Sequence, residues 1–308
     1  MEHDHRGLDH PGRGSADHRR GTARPSDRPD GSKAVMRAIL GIVLSLMAMS
    51  PPLAQAADAV LLHAAGSLRG PLTEVSRAFA AAGGAPVTIK FGASGLLRDE
   101  IAGGARAEVF ASANMEHPRS LSEAKRSSPV VLFARNRLCA LARPGLDVTT
   151  ADVVDRMLDP QIRLGTSTPK ADPSGDYAWM VFRRIDASRP GSFAALESKA
   201  LQLTGGPASR RPPPDRSVYG AIVEKGEADL FLTYCTNALV AAREVAGAKV
   251  VDLPDTIAVG ADYGLTVMNG SSEAAYRLAL FILSAEGQAI LARHGFASSP
   301  PSAGQDPR

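Results

Sequence analysis

The chain has 308 residues, of which 44% are hydrophobic and 22% charged, with a formal net charge of +3. That balance excludes a chain disordered throughout and suits a soluble protein of one or two domains. The 35 Lys and Arg residues are scattered rather than gathered into one stretch, which argues against nucleic-acid binding.

Residues 1–35 are rich in Arg, Asp, Gly and His and lack apolar periodicity, so they cannot bury a core; they are expected to be disordered or to reflect an over-extended start. His3, His5, His10 and His18 fit the spacing of no ordered metal site. From Met36 the pattern changes. Arg37 precedes the apolar run 38–49, and Ala54-Gln55-Ala56 supplies small residues for cleavage. These are the three parts of a secretory signal over residues 36–56, with an apolar core too short to span a membrane. The mature protein is expected to begin near Ala57, without a cysteine there to carry a lipid, and to be soluble in the periplasm. In that oxidising compartment Cys139 and Cys235 either form one bridge or remain two buried thiols.

From Val60 onward, short apolar runs alternate with amphipathic stretches, the pattern of an α/β protein. Residues 60–65 read as a strand. Leu68, Leu72, Val75 and Phe79 then share one face of a helix that ends at Gly83-Gly84. A second unit follows: a strand over 87–91, the turn Gly92-Ala93-Ser94-Gly95 and a helix over 97–101. Residues 109–113 form a third strand. Runs 130–133 and 138–141 read as two strands, followed by a helix over 152–158, a strand over 162–165, helices near 176–184 and 193–201, and a Pro-rich loop at 210–214. A helix over 219–225, strands at 230–232, 250–251 and 263–268, and helices over 274–283 and 286–293 complete the pattern.

Consecutive strand-loop-helix units place their loops at the carboxyl edge of a parallel sheet, where open α/β sheets bind ligands. Ser67 and Ser94 occupy those loops, each read as capping the helix that follows, and together they offer hydroxyls and free amides at positive helix ends. Further along, Ser174 within Thr166–Asp176 and the stretch Arg216-Ser217 stand before helices in the same manner, and Tyr234 ends the strand that runs from Leu230 to Thr233. Each has a plainer reading, as a cap, a turn residue or a core tyrosine.

The segments Ala64-Ala65-Gly66-Ser67-Leu68, Phe91-Gly92-Ala93-Ser94-Gly95, Ala107-Glu108-Val109-Phe110-Ala111-Ser112-Ala113, Gly226-Glu227-Ala228-Asp229, Gly287-Gln288-Ala289-Ile290-Leu291 and Gly295-Phe296 occur in an order that resembles the periplasmic molybdate-binding proteins of ABC importers, the ModA family. The resemblance implies a two-lobed type II periplasmic binding protein, with a ligand cleft between α/β lobes joined by two crossing strands near 135–138 and 259–264. Lobe 1 is then expected over 57–134 plus 260–302, lobe 2 over 135–259, and a disordered tail over 303–308.

By position, the resemblance carries the oxyanion-binding role onto Ser67, Ser94, the amide of Ser174, an amide of Arg216 or Ser217, and the hydroxyl of Tyr234. The implied ligand is molybdate or tungstate, held through its oxygens with no direct protein–metal bond and no cofactor. The implied partners are an inner-membrane permease and its ATPase, and the protein is expected to be monomeric. Departures from the family pattern at Gly66, Ala93-Ser94-Gly95, Ser174 and the polar run 233–237 leave sulfate or a small organic anion as alternatives. An exported serine hydrolase is the remote one: the Gly92–Gly95 turn is no nucleophile elbow, and neither His63 nor His294 has an evident acidic partner in sequence.

Overall fold

The computed structural model describes residues 58–209 and 216–298. The proposed signal, the Pro-rich loop at 210–214 and the tail at 303–308 lie outside them. In chain order the strands are β1 (Val60–Ala65), β2 (Val87–Gly92), β3 (Val109–Ser112), β4 (Val131–Ala142), β5 (Leu164–Ser167), β6 (Leu201–Thr204), β7 (Leu230–Tyr234), β8 (Lys249–Asp252), β9 (Gly260–Val267) and β10 (Ala297–Ser298). The helices are α1 (Arg69–Ala81), α2 (Ser94–Ala102), α3 (Glu116–Glu123), α4 (Val153–Leu158), α5 (Pro173–Ser188), α6 (Ser192–Lys199), α7 (Val218–Glu224), α8 (Cys235–Glu244), α9 (Glu273–Leu283) and α10 (Ala285–Arg293).

One strand joins two halves of the sheet. In the first half β2, β1 and β3 are parallel, and β9 runs antiparallel between β3 and β4. In the second half β4 pairs antiparallel with β7, which continues in parallel to β5 and β6. Residues 131–137 of β4 pair with β9, whereas residues 138–142 pair with β7 and 139–142 with β8. The chain therefore crosses along β4 and returns between β8 and β9, as in the type II periplasmic binding fold.

The sequence reads β4 as two runs because Arg135-Asn136-Arg137 interrupts its apolar pattern. The strand continues because each of these side chains is satisfied. Arg135 pairs with Asp262 at 3.2 Å and Arg137 with Asp252 at 3.0 Å on the outer face, while the buried Asn136 donates to Thr236 Oγ1 at 2.9 Å. Two helices, α3 and α8, are absent from the sequence reading. The run Thr233–Asn237 looks polar and strand-like but turns into α8 at Cys235. Leu201, read as the last residue of a helix, instead opens the edge strand β6, which the sequence reading does not include.

The core is built from one face of each helix against the sheet. α1 buries Leu72, Val75 and Phe79, with the Phe79 ring 5.6 Å from Phe281 of α9. α5 buries Ala178, Val181, Phe182 and Ile185 at helical spacing. Of the two states open to the cysteines, the structure has the bridge: Cys139 of β4 is bonded to Cys235 at the start of α8, 96 residues away. No single described helix is long and apolar enough to cross a membrane.

Candidate functional site

Ser67 does not cap α1. It lies in a 3-10 turn over Gly66–Leu68 that separates β1 from α1, and Leu68 precedes the helix without any side-chain cap. Its hydroxyl is thereby freed for a long-range contact, a 3.0 Å hydrogen bond with the hydroxyl of Tyr263 on β9. Ser94 also differs from its expected capping role: it is the first residue of α2 rather than its cap, and its buried Oγ accepts from the backbone N–H of Ala113 at 3.1 Å. Ala113 in turn offers its carbonyl to the Tyr234 hydroxyl at 3.4 Å.

These contacts gather Ser67, Ser94 and Tyr234 into one cluster. The Tyr234 ring lies 5.6 Å from Tyr263 and 6.3 Å from Tyr177 of α5. Asn136 closes the group from β4, its amide nitrogen 3.4 Å from the Tyr263 hydroxyl. Burial pushes the phenols of Tyr177, Tyr234 and Tyr263 upward in pKa, so all three are neutral hydrogen-bond donors at physiological pH. No Lys or Arg side chain of the described residues is seen hydrogen-bonded to Ser67, Ser94, Ser174, Tyr234 or Tyr263. The cluster thus presents neutral hydroxyls.

Ser174 sits in the first turn of α5, fully buried, and its Oγ has no hydrogen-bond partner in the protein. Its backbone N–H is not free: it donates to Asp172 Oδ1 at 3.1 Å, and Asp172 is the N-cap of the helix. Asp172 keeps some surface as a residue, but its carboxyl is desolvated, which pushes its pKa up to about 6.

Ser217 and Arg216 are held elsewhere. The Ser217 N–H donates to Glu244 at 2.8 Å and its hydroxyl accepts from Gly220 at 3.2 Å, as a helix cap does. The Arg216 guanidinium pairs with Glu224 at 2.9 Å. No contact of either residue with the Ser67–Ser94–Tyr234 cluster is seen.

Tyr263 and Asn136, which contact the cluster, and Asp172, which caps α5, are not among the residues that the sequence reading singles out. Tyr263 and Ser67 are 196 positions apart, and no local pattern marks such a pair. Asp172 was legible, since an acidic residue followed by Pro is a standard helix start. His294 does have an acidic partner, Glu74 Oε2 at 2.8 Å, which corrects the expectation for it. That pair joins α10 to α1, and no contact brings it to Ser67 or Ser94.

An α/β sheet crossed twice by the chain is the frame of the type II periplasmic binding fold. Residues 60–297 match the model of the bacterial extracellular solute-binding protein family, and the chain belongs to that family. It is 37% identical to an uncharacterised protein of Pasteurella multocida over 68% of this chain and 87% of that one. It is 26% identical to the molybdate-binding protein ModA of Mycobacterium bovis, over 79% of this chain and 86% of the relative. Among solved structures, the sulfate-binding protein SubI of Mycobacterium tuberculosis superposes with a TM-score of 0.66 at 20% identity, covering 79% of this chain and 88% of that one.

Proposed function

We propose that this protein is the exported binding component of an ABC importer and that it carries a tetrahedral oxyanion, molybdate or tungstate first, to an inner-membrane permease and its ATPase. The observation that carries the reading is the convergence of Ser67, Ser94 and Tyr234, with Tyr263, on one cluster of neutral hydroxyls. The buried and unpaired Ser174 hydroxyl supports it, because a donor left without a partner costs about 1–3 kcal/mol unless a ligand takes it up. The likeness to a molybdate-binding relative gives the choice of ion. Export by the signal over residues 36–56 and a periplasmic location belong to the same proposal, as do the lobes at 57–134 plus 260–302 and at 135–259.

Closing the lobes replaces the water around the anion with fixed dipoles, which act more strongly once water is excluded. Asp172 favours a second reading. Its carboxylate stands where a free amide of α5 is expected, and a buried acceptor there suits a ligand that brings its own hydrogen, such as a small hydroxylated organic anion.

The test is titration of Ser67→Ala, Ser94→Ala and Ser174→Ala with molybdate. Each is expected to weaken binding by about 1–3 kcal/mol with the fold retained. Unchanged affinity in all three would remove these hydroxyls from the site.

A further inference from the structure

The turn between β5 and α5, residues 168–172, is packed between two glycines. Beneath it lies Gly175 of α5, where an added Cβ would stand 2.6 Å from the nitrogen of Pro169 and 2.7 Å from the carbonyl oxygen of Ser167. Above it lies Gly95 of α2, whose added Cβ would stand 2.6 Å from the carbonyl oxygen of Ala171 and closer still to that of Lys170. Both obstacles at Gly95 are backbone atoms, which cannot swing away as a side-chain tip can.

The same turn holds Lys170 at φ +66°, one of two described non-glycine residues in the left-handed region. That conformation costs a non-glycine residue about 1 kcal/mol or more, so the surroundings must impose it. Two bonds do so here: Asp176 Oδ1 accepts from the Lys170 N–H at 2.8 Å, and the Asp172 N–H donates to the Thr168 carbonyl at 3.0 Å. The result is a carbonyl aimed outward from the second half of the sheet, and the Gly95 N–H donates to it, to Ala171, at 2.9 Å. Gly95 belongs to the first half. It follows Ser94 directly, so this backbone bond crosses between the halves beside the hydroxyl cluster.

We infer that the Gly95 N–H to Ala171 carbonyl bond is the latch of the closed cleft, and that residue 95 is glycine because closure leaves no room for a side chain there. The inference rests on the two-lobed binding reading. Gly95 and Ala171 are positioning residues: they set how far the lobes close and bring Ser94 against the first turn of α5, without an assigned contact to the ligand.

The experiment is small-angle scattering and calorimetry on the purified wild type and Gly95→Ala, each alone and with molybdate, tungstate or sulfate. The wild type is expected to populate the latched form in part without ligand and to compact further on binding. Gly95→Ala is expected to keep its melting temperature, stay extended, and bind about tenfold or more weakly, the value of one lost hydrogen bond with the collision added. Lys170→Gly, which removes the left-handed strain but keeps both carbonyls, is expected to compact as the wild type does. Should Gly95→Ala fail to fold, Asp176→Ala serves instead, since it frees the Lys170 N–H and is expected to weaken compaction with the fold intact. Gly95→Ala, or Asp176→Ala in its place, that compacts and binds like the wild type would overturn the latch. If the wild type binds none of the three anions, the oxyanion reading fails separately, and the latch is read on the unliganded proteins. A slowly exchanging Gly95 amide in the wild type and a larger radius of gyration in Gly95→Ala support it; fast exchange with equal radii overturns it.

Discussion

Asp172 bears on both stability and ligand choice. As the N-cap of α5 it satisfies the Ser174 amide, a contribution of about 1 kcal/mol. Its carboxyl is nevertheless desolvated and titrates near 6, well above an ordinary aspartate. A carboxyl whose folded-state pKa is raised holds its proton more tightly in the folded protein than in the unfolded one. Its contribution is therefore complete below the ordinary carboxylate range and is lost as pH rises through about 6. Asp172→Asn keeps a capping oxygen without the charge. It is expected to raise stability at neutral pH by about 1–2 kcal/mol and to flatten the pH dependence of the melting temperature between about 4 and 6. It is also expected to tighten a dianion, because a negative charge beside the site is removed. Weaker molybdate binding in this variant would instead favour the ligand that brings its own hydrogen.

At the scale of elements, the parts legible in sequence were those whose burial pattern is local. β1, α1, β2 and α2 follow from apolar spacing and glycine stops, since each helix turns one face to the sheet. β4 was read as two strands because its central residues are polar, and only their distant partners Asp262, Asp252 and Thr236 explain why a strand runs through them. α8 begins without a side-chain cap, so nothing local announces it.

The junction of β4, β5 and β7 has its own electrostatic tie. Buried Asp229 accepts from Arg143 at 2.6 Å and from Arg163 at 2.8 Å, and it also receives the Arg163 backbone N–H at 2.8 Å. Hydrogen bonds from Arg163, with those from Arg143, hold its carboxyl far below the usual range. A depressed pKa contributes stability above the ordinary carboxylate range, lost as pH falls through the folded-state value. Asp229→Ala is expected to cost about 1–3 kcal/mol at neutral pH, discounted for the partial exposure of both arginines. The difference between variant and wild type should shrink in acid, as thermal melts across pH 2–7 would record. A difference independent of pH would assign the loss to packing.

For the whole molecule, the fold class was readable because strand and helix alternate along the chain and the motif order resembles one family. The candidate site is legible only as separate residues. Ser67, Ser94 and Tyr234 come together, but through Tyr263 and Ala113, which act at separations that no single segment reveals. The Ser217 amide is taken by Glu244 and the Arg216 side chain by Glu224, contacts equally invisible in sequence.

The central claim is that the gathered hydroxyls hold a tetrahedral oxyanion without a counter-charge. Calorimetric titration of the purified wild-type protein at neutral pH with molybdate, tungstate, sulfate and phosphate tests it most directly. Tight binding of molybdate and tungstate, with phosphate rejected because its remaining hydrogen faces a donor, is the predicted result. Silence toward all four anions, with heat evolved on adding a small hydroxylated carboxylate, would contradict it.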